Sequence, residues 1–191
     1  MMLKEGMLLF YGSYATVEEI DLEQCEEGKD FGKGFYLTSD VNQARTFIKT
    51  SLNKAKNKGI IPIDQGYGYI SSFRYHAPSE LVKIYEFTTA DKEWLWFVSQ
   101  NRRSKLAIKL APLINKEIFQ SEIIIGKIAN DTTNPVIAAY LNGLYGDIES
   151  EKAINFAIDQ LMPDHLKEQF CFLTENAISC LEFQEARKYV I

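Results

Sequence analysis

A Gly-x-Gly turn that leads straight into an aromatic strand constrains this chain more than any other segment. The segment runs from Asp30 to Thr38, with Gly32 and Gly34 just before the strand-forming run Phe35–Thr38. Glycine permits a tight backbone and a close approach of other groups. A P-loop is excluded, because its glycines lead through a Lys-Ser/Thr pair into a helix. Two interpretations stay open: a hairpin whose end packs in the core, or a place where a flat ligand lies against ring faces.

The remaining segments predict strands and helices in mixed order. Strands are predicted at 7–11, 35–38, 67–75, 81–87, 122–128 and 170–173, with a short edge strand at 181–183. The residues 76–79 between the strands 67–75 and 81–87 are predicted to form a hairpin or a loop. Asp40 is predicted to cap a helix that ends near Lys58, where Gly59 stops it. Further helices are predicted after Asp91, Asn134, Ser150 and Thr174, and the helix after Ser150 is predicted to stop at Pro163. This mixture of helices and hairpins indicates an α+β fold with mixed or antiparallel sheets and flanking helices.

Composition limits the class of protein. The chain has 191 residues, of which 46% are hydrophobic, so one domain over 1–191 is expected. A net charge of -5 gives no broad basic surface for nucleic acid. The first apolar run is too short for a signal peptide or a membrane span, which favours a cytoplasmic protein with no membrane partner. Three separated cysteines and two histidines do not have the spacing of a metal site, so no metal is expected.

Segments along nearly the whole chain resemble one bacterial family, DUF3990, whose proteins are similar to ADP-ribosyltransferases. The family's typical segments match Tyr11-Gly12-Ser13, Asp30–Thr38, the spaced residues Trp94, Phe97, Asn101 and Arg102, the run Ile124–Asp131, and Gln169 with Phe172. The second of these segments is matched in full. At the first, Tyr11 stands where the family usually has histidine. The resemblance implies a single-domain ADP-ribosyltransferase-like fold with an NAD cleft bounded by Tyr11–Ser13 and by Gly32–Tyr36.

The same segments look like the nicotinamide pocket of poly-ADP-ribose polymerases. The resemblance implies NAD contacts at Tyr11, Gly12, Ser13, Gly34, Tyr36 and Phe47. On this pattern the Gly12 backbone binds the nicotinamide amide, with Ser13 as its side-chain partner. Tyr36 and Phe47 would sandwich the nicotinamide ring, and Tyr11 would hydrogen-bond a ribose hydroxyl. These three aromatic side chains are therefore expected to converge on one concave pocket.

The resemblance also implies a polar group on a late strand, beside the positive charge that develops as nicotinamide leaves. Gln169 is the residue assigned to this position, which makes Tyr11, Tyr36 and Gln169 the candidate catalytic residues. An exposed residue at a strand start is the other interpretation of Gln169, and Glu168 or Glu175 would then be the catalytic candidate. The pairs 101–102 and 130–131 either project into the cleft or serve as caps and surface salt bridges.

The leading functional hypothesis is transfer of ADP-ribose from NAD, as substrate, to an unidentified macromolecular acceptor. A role as a bacterial toxin with a small antitoxin partner belongs to this hypothesis. One alternative is a catalytically weak or inactive binding module with an NAD fold. Another is an NAD glycohydrolase, which uses water as the acceptor in the same pocket.

Overall fold

The computed structural model describes residues 2–77, 81–128, 133–161 and 168–191. Within these ranges seven strands are present: β1 (Leu8–Ser13), β2 (Phe35–Leu37), β3 (Tyr67–Tyr75), β4 (Ile84–Glu86), β5 (Ile123–Lys127), β6 (Glu168–Phe172) and β7 (Leu181–Val190). The same ranges contain six α-helices: α1 (Val41–Asn57), α2 (Lys92–Arg102), α3 (Lys116–Phe119), α4 (Thr133–Leu141), α5 (Glu151–Leu161) and α6 (Glu175–Ile178). The predicted α+β class is confirmed. No helix in the described ranges has the length and apolar character needed to cross a membrane.

In the described part of the chain the strands form two sheets that are joined by one backbone bridge. β1, β3 and β7 form an antiparallel three-stranded sheet with β3 in the centre. β2, β6, β5 and β4 form a four-stranded sheet in that order, in which β4 and β5 are parallel. The Phe10 N–H donates to the Thr38 carbonyl at 2.8 Å, and the Thr38 N–H donates to the Phe10 carbonyl at 3.1 Å. Beyond this bridge β1 and β2 run apart into different sheets.

The sheets and helices stack in layers because strand side chains alternate between two faces. Leu9 and Phe73 of the three-stranded sheet pack against Phe35 and Phe172 of the four-stranded sheet, forming the core between the sheets. α1 covers the outer face of the three-stranded sheet, with Ile48 fully buried at its centre. α2, α4 and α5 cover the outer face of the four-stranded sheet. The layer order places β2 at an inner corner, between the core and the α2 helix layer.

α1 forms where the sequence predicts it. The Asp40 side chain accepts hydrogen bonds from the N–H groups of Asn42 and Gln43, at 2.8 and 3.4 Å. At the other end Gly59 has a φ of 68°, a left-handed conformation that favours glycine after a helix. The predicted helix from Asp40 to about Lys58 is therefore confirmed.

Other elements differ from the sequence prediction. The segment 81–87 contributes only β4, which pairs in parallel with β5 instead of forming a hairpin with β3. β7 extends to Val190, because its whole length pairs with β3. The short helix α3 was not predicted. The loop at 76–79 and the predicted helix stop at Pro163 lie partly or wholly outside the described residues.

A carboxylate–histidine clamp ties the N-terminal segment to the three-stranded sheet. His76, just after β3, has Nδ1 2.8 Å from Glu5 Oε1 and Nε2 3.0 Å from Glu182 Oε2. The hydrogen bonds with Glu182 and Glu5 raise the pKa of His76 above its ordinary value of 6.5. The Ala77 N–H and His76 lower the pKa of Glu5, and His76 lowers that of Glu182.

We expect this clamp to make stability depend on pH. A raised histidine pKa stabilises the fold fully below pH 6.5, and the contribution is lost as pH rises through the folded-state pKa. A lowered glutamate pKa stabilises above pH 4.5, and its contribution is lost as pH falls further. The thermal midpoint of wild type should therefore exceed that of His76→Gln most between pH 4.5 and 6.5. A difference that stays constant across the pH series would contradict this assignment.

Candidate functional site

The opening between β1 and β2, called here the β1–β2 gap, starts where the Phe10–Thr38 bridge ends. In an antiparallel ladder the N–H and C=O groups of residues i and i+2 point to the same edge of a strand. Phe10 directs both groups toward the β2 side. Gly12 therefore presents its own N–H and C=O to that same edge, facing away from β3, its partner on the other side. This edge of β1 offers one donor and one acceptor side by side.

Close packing of α1 explains why residue 12 is glycine. A Cβ at Gly12 would lie 1.8 Å from the Ala44 carbonyl oxygen, which no real side chain could tolerate. Gly68 on β3 shows the same restriction, since a Cβ there would lie 2.3 Å from Ile48 Cγ2. These two glycines let the helix backbone rest directly on the sheet. α1 is thereby held beside the β1–β2 gap.

One flank of α1 faces the gap. Ser51 Oγ accepts a hydrogen bond from the Tyr14 N–H at 3.1 Å and lies 3.5 Å from Ser13 Oγ. Gln43 and Phe47 precede Ser51 by two turns and one turn, so all three lie along the same flank. The Phe47 side chain is 41% exposed. We call the stripe Gln43, Phe47 and Ser51 the gap flank.

The opposite flank of α1 faces β7. The Arg45 guanidinium lies over the Tyr189 ring, 5.5 Å from its centroid. Val41, one turn before Arg45, lies with Tyr189 around a shallow depression on that side of the helix. The two flanks therefore meet different surroundings. Of the two, the gap flank lies beside the edge of β1 at which Gly12 has no backbone partner among the described residues.

Tyr11 of β1 packs against one face of β2, and Tyr36 of β2 points to the opposite face. The Tyr11 ring packs in the core between the sheets, 4.6 Å from the Phe35 ring centroid, and burial raises its pKa. Tyr36 follows Phe35 in the strand and so points to the other face, where it packs with the α2 layer. Its hydroxyl donates to the Gly32 carbonyl at 2.7 Å and accepts from the Phe31 N–H at 3.0 Å.

The structure therefore does not gather the three predicted aromatic side chains into one pocket. Phe47 makes no ring contact with Tyr11 or Tyr36 in the described part of the chain. Gly34 serves close packing of β2 on β6, because a Cβ there would lie 2.7 Å from Cys171 Sγ. Tyr11 and Tyr36 are kept apart because side chains alternate between the two faces of β2. Phe35, which Tyr11 contacts, points to one face, and Tyr36 points to the other.

A buried polar group, called here the Asp30 cluster, lies on the Tyr36 face of the four-stranded sheet. It consists of Asp30, Asn101, Arg102 and Gln169. Asp30 Oδ1 accepts from Arg102 Nε at 2.6 Å, and Oδ2 accepts from Gln169 Nε2 at 3.0 Å. The Asp30 carbonyl accepts from Asn101 Nδ2 at 3.1 Å. Asp30 is 3% exposed and Gln169 is 7% exposed, so water does not satisfy these groups.

The Asp30 cluster excludes one of the interpretations that the sequence left open for Gln169, and one for the pair 101–102. Gln169 is a buried, hydrogen-bonded residue of β6 and not an exposed residue at a strand start. Asn101 and Arg102 fix the turn before β2 through a buried contact instead of a surface salt bridge. The pair 130–131 lies outside the described residues. The structure thus brings Tyr36 and Gln169 to one face, and Gly12, Ser13 and Phe47 to another place.

Sequence reasoning missed three residues of these two sites. Asp30 opens the fully matched segment, and that position was the available signal for its central role. Gln43 and Ser51 are spaced four residues on either side of Phe47, and this helical spacing could have placed them on the same flank. Glu168 and Glu175, the substitute catalytic candidates, lie at the start of β6 and in the first turn of α6.

Comparison with known proteins gives one family match. A family model described as a protein of unknown function, DUF3990, matches residues 7–183. No curated protein matches the chain. The matched range contains both the β1–β2 gap and the Asp30 cluster.

Proposed function

We propose that this chain, which belongs to the DUF3990 family, binds NAD in the β1–β2 gap and transfers ADP-ribose from it to a macromolecule. The observation that carries the proposal is the pair of Gly12 backbone groups at the unpaired edge of β1, beside the gap flank. The proposal includes an ADP-ribosyltransferase-like arrangement of the two sheets, with the cleft at the corner where they are bridged.

The nicotinamide carboxamide complements the edge at Gly12. A carboxamide has one carbonyl acceptor and an NH₂ donor, so it can pair with both an N–H and a C=O of one residue. Ser13, the next residue of β1, is buried, and its Oγ lies 3.5 Å from Ser51 Oγ of the gap flank. The exposed Phe47 ring provides an aromatic face beside these groups. The polar edge of β1 at Gly12 and the face of the Phe47 ring together suit a flat heteroaromatic amide.

The Asp30 cluster supports the proposal from the other side of β2. It anchors the turn through Gly32, and Tyr36 bonds to the same turn. Because the turn beside the gap is already fixed in this way, less conformational freedom is lost when a ligand binds. In this role Gln169 positions β2 and does not itself contact the substrate.

A second candidate is an NAD-binding module that does not cleave its ligand. Two observations favour it: the Tyr11 ring is packed into the core between the sheets, and the Gln169 amide is engaged by Asp30. Neither side chain is directed to the site where positive charge would develop on the ribose. Both candidates share the same binding site, so one experiment separates them.

The experiment uses NAD labelled separately in the nicotinamide and the adenine moieties. Purified protein is incubated with each label, alone and with bacterial lysate, and its affinity for NAD is measured by calorimetry. Adenine label on a macromolecule together with free nicotinamide supports transfer. Free ADP-ribose without lysate identifies hydrolysis. Binding without nicotinamide release identifies the module, and absence of binding overturns the proposal.

Phe47→Ala is expected to weaken NAD binding while leaving the fold intact. A stacked ring contributes about 0.5–1.5 kcal/mol beyond its buried area, which corresponds to a loss of affinity of about 2- to 12-fold. Because the side chain is 41% exposed, the thermal midpoint should change little. Val41→Ala is the matched control, since Val41 is 40% exposed on the opposite flank of α1. Equal NAD affinities for the two variants would count against stacking on Phe47.

A further inference from the structure

Three lysine side chains converge on one carboxylate at the end of α1. Lys29 Nζ lies 2.8 Å from Glu26 Oε2, and Lys54 Nζ lies 3.2 Å from the same oxygen. Lys58 Nζ lies 3.2 Å from Glu26 Oε1. Glu26 and Lys29 belong to the segment that connects β1 to β2, whereas Lys54 lies in the last turn of α1 and Lys58 caps it. We call these four residues the lysine cluster.

The lysine cluster has an excess of positive charge, because it holds three ammonium groups and one carboxylate. Hydrogen bonds from Lys29 and Lys54 lower the pKa of Glu26 to about 2, so this carboxylate is ionised at neutral pH. Burial lowers the pKa of Lys29, and the neighbouring charge of Lys54 lowers it further. A second anion bound here would therefore relieve repulsion among the lysines.

Solvent reaches the lysine cluster, and so can a ligand. The side chains of Lys54 and Lys58 are 51% and 60% exposed, and that of Lys29 is 35% exposed. An ammonium group carries three N–H donors, so contact with Glu26 leaves further donors on each lysine. These donors can bind an anion without breaking the contacts with Glu26.

The lysine cluster continues the gap flank toward the end of α1. Lys54 follows Phe47 by two helical turns and Lys58 follows it by three, so both lie on the same side of the helix as Phe47. The rise of an α-helix places Lys54 about 10 Å along the axis from Phe47. Ser51 lies between them and accepts from the Tyr14 N–H just after β1. A ligand that lies along this flank with a ring at Phe47 would meet the ammonium groups further along.

We propose that Lys29, Lys54 and Lys58 bind the diphosphate of NAD. This inference rests on the proposed function and names the part of the site that holds the charged part of the ligand. A ribose separates the nicotinamide ring of NAD from its diphosphate, as two helical turns separate Phe47 from Lys54. Ammonium groups bind phosphate oxygens through charge-assisted hydrogen bonds. Free nicotinamide has no phosphate, so the lysine cluster does not contribute to its affinity.

Two double variants with the same change in net charge test this assignment. Lys54→Gln combined with Lys58→Gln removes two ammonium groups of the lysine cluster. Lys49→Gln combined with Lys56→Gln is the control. Lys49 follows Arg45 by one turn on the opposite flank of α1, and Lys49 and Lys56 line a separate depression there. Glutamine has a helix propensity close to that of lysine, so both double variants should fold.

Calorimetry with inorganic diphosphate, NAD and nicotinamide measures the effect. We expect the double variant of the lysine cluster to bind diphosphate and NAD about 2- to 30-fold more weakly than wild type. Its nicotinamide affinity should be unchanged, and the control should match wild type with all three ligands. The loss should shrink as the salt concentration rises, because salt screens interactions between exposed charges.

Glu26→Gln should change the affinity in the opposite direction. Without the carboxylate the positive charges of the lysine cluster are unopposed, so diphosphate and NAD should bind about 2- to 5-fold more tightly. A purely structural role would give a different result. If the lysines only tied Glu26 and its segment to α1, the thermal midpoint would fall in Glu26→Gln and the diphosphate affinity would stay at the wild-type value.

Two further results would overturn the inference. Equal NAD affinities for the two double variants overturn it and leave the proposed function intact. This holds even if inorganic diphosphate binds more weakly to the variant of the lysine cluster, because the cluster would then be a site for free phosphate. A wild-type protein that binds inorganic diphosphate but not NAD overturns the proposed function and this inference with it.

Discussion

Replacing Arg102 with alanine is expected to lower the free energy of unfolding by about 3–5 kcal/mol. Arg102 Nε lies 2.6 Å from Asp30 Oδ1, and the Asp30 side chain is 3% exposed. Removing the guanidinium takes away the cation that contacts Asp30 Oδ1, and breaking a buried ion pair from one side costs far more than the net contribution of the pair. Urea denaturation of wild type and variant measures the change directly.

Two companion variants make the Arg102 result specific. Asp30→Asn combined with Arg102→Ala should recover part of the loss, because the charge that needed the guanidinium is gone. Arg187→Ala removes a cation 2.7 Å from Glu185, but both side chains are well exposed, so stability should stay at the wild-type level. Similar losses for Arg102→Ala and Arg187→Ala would show that the Asp30 cluster has no special role.

Gly12→Ala is the second change with a large expected effect. A Cβ at this position would lie 1.8 Å from the Ala44 carbonyl oxygen, so the β1 and α1 backbones must separate. Overpacking against side chains costs about 1–3 kcal/mol, and a clash with a helix backbone should reach or exceed the upper end of about 3 kcal/mol. The unfolding midpoint in urea should fall accordingly.

Gly66→Ala is the matched control for Gly12→Ala. The nearest atom to a Cβ at Gly66 is the Asp64 carbonyl oxygen at 4.0 Å, an ordinary contact distance. Its stability should stay close to that of wild type. A Gly12→Ala protein that unfolds at the wild-type urea concentration would mean that α1 does not rest on β1 as described.

Short-range sequence signals predicted α1 correctly. They did not predict elements whose position depends on pairing with a distant strand. Asp40, the helical spacing of apolar residues and Gly59 all lie within the helix or at its ends, so they could be interpreted together. β4 instead pairs with β5, where Ile84 lies opposite Ile123. No short-range pattern carries that information. The sequence left a hairpin or a loop open between the strands 67–75 and 81–87, and the pairing of β4 with β5 excludes the hairpin.

In the candidate site, too, short-range features were predicted from the sequence and long-range contacts were not. The positions of Gly12 and Ser13 at a strand end followed from the matched segment and the apolar run before it. The Asp30–Gln169 contact spans 139 positions in the chain and could not be inferred from spacing. The separation of Tyr11 from Tyr36, in contrast, could have been predicted from the sequence, because alternation in β2 places Phe35 and Tyr36 on opposite faces.

The single bridge between Phe10 and Thr38 also bears on how the two sheets can move relative to each other. Within the described residues, the backbone ladders of the two sheets are complete on their own, and this bridge is their shared backbone contact. A small change in the angle between the sheets would therefore leave both ladders intact and would be resisted by the side chains of the core between them. The width of the gap at Gly12 is thus set by side-chain packing. Side-chain packing adjusts more easily than the backbone hydrogen bonds of a continuous sheet.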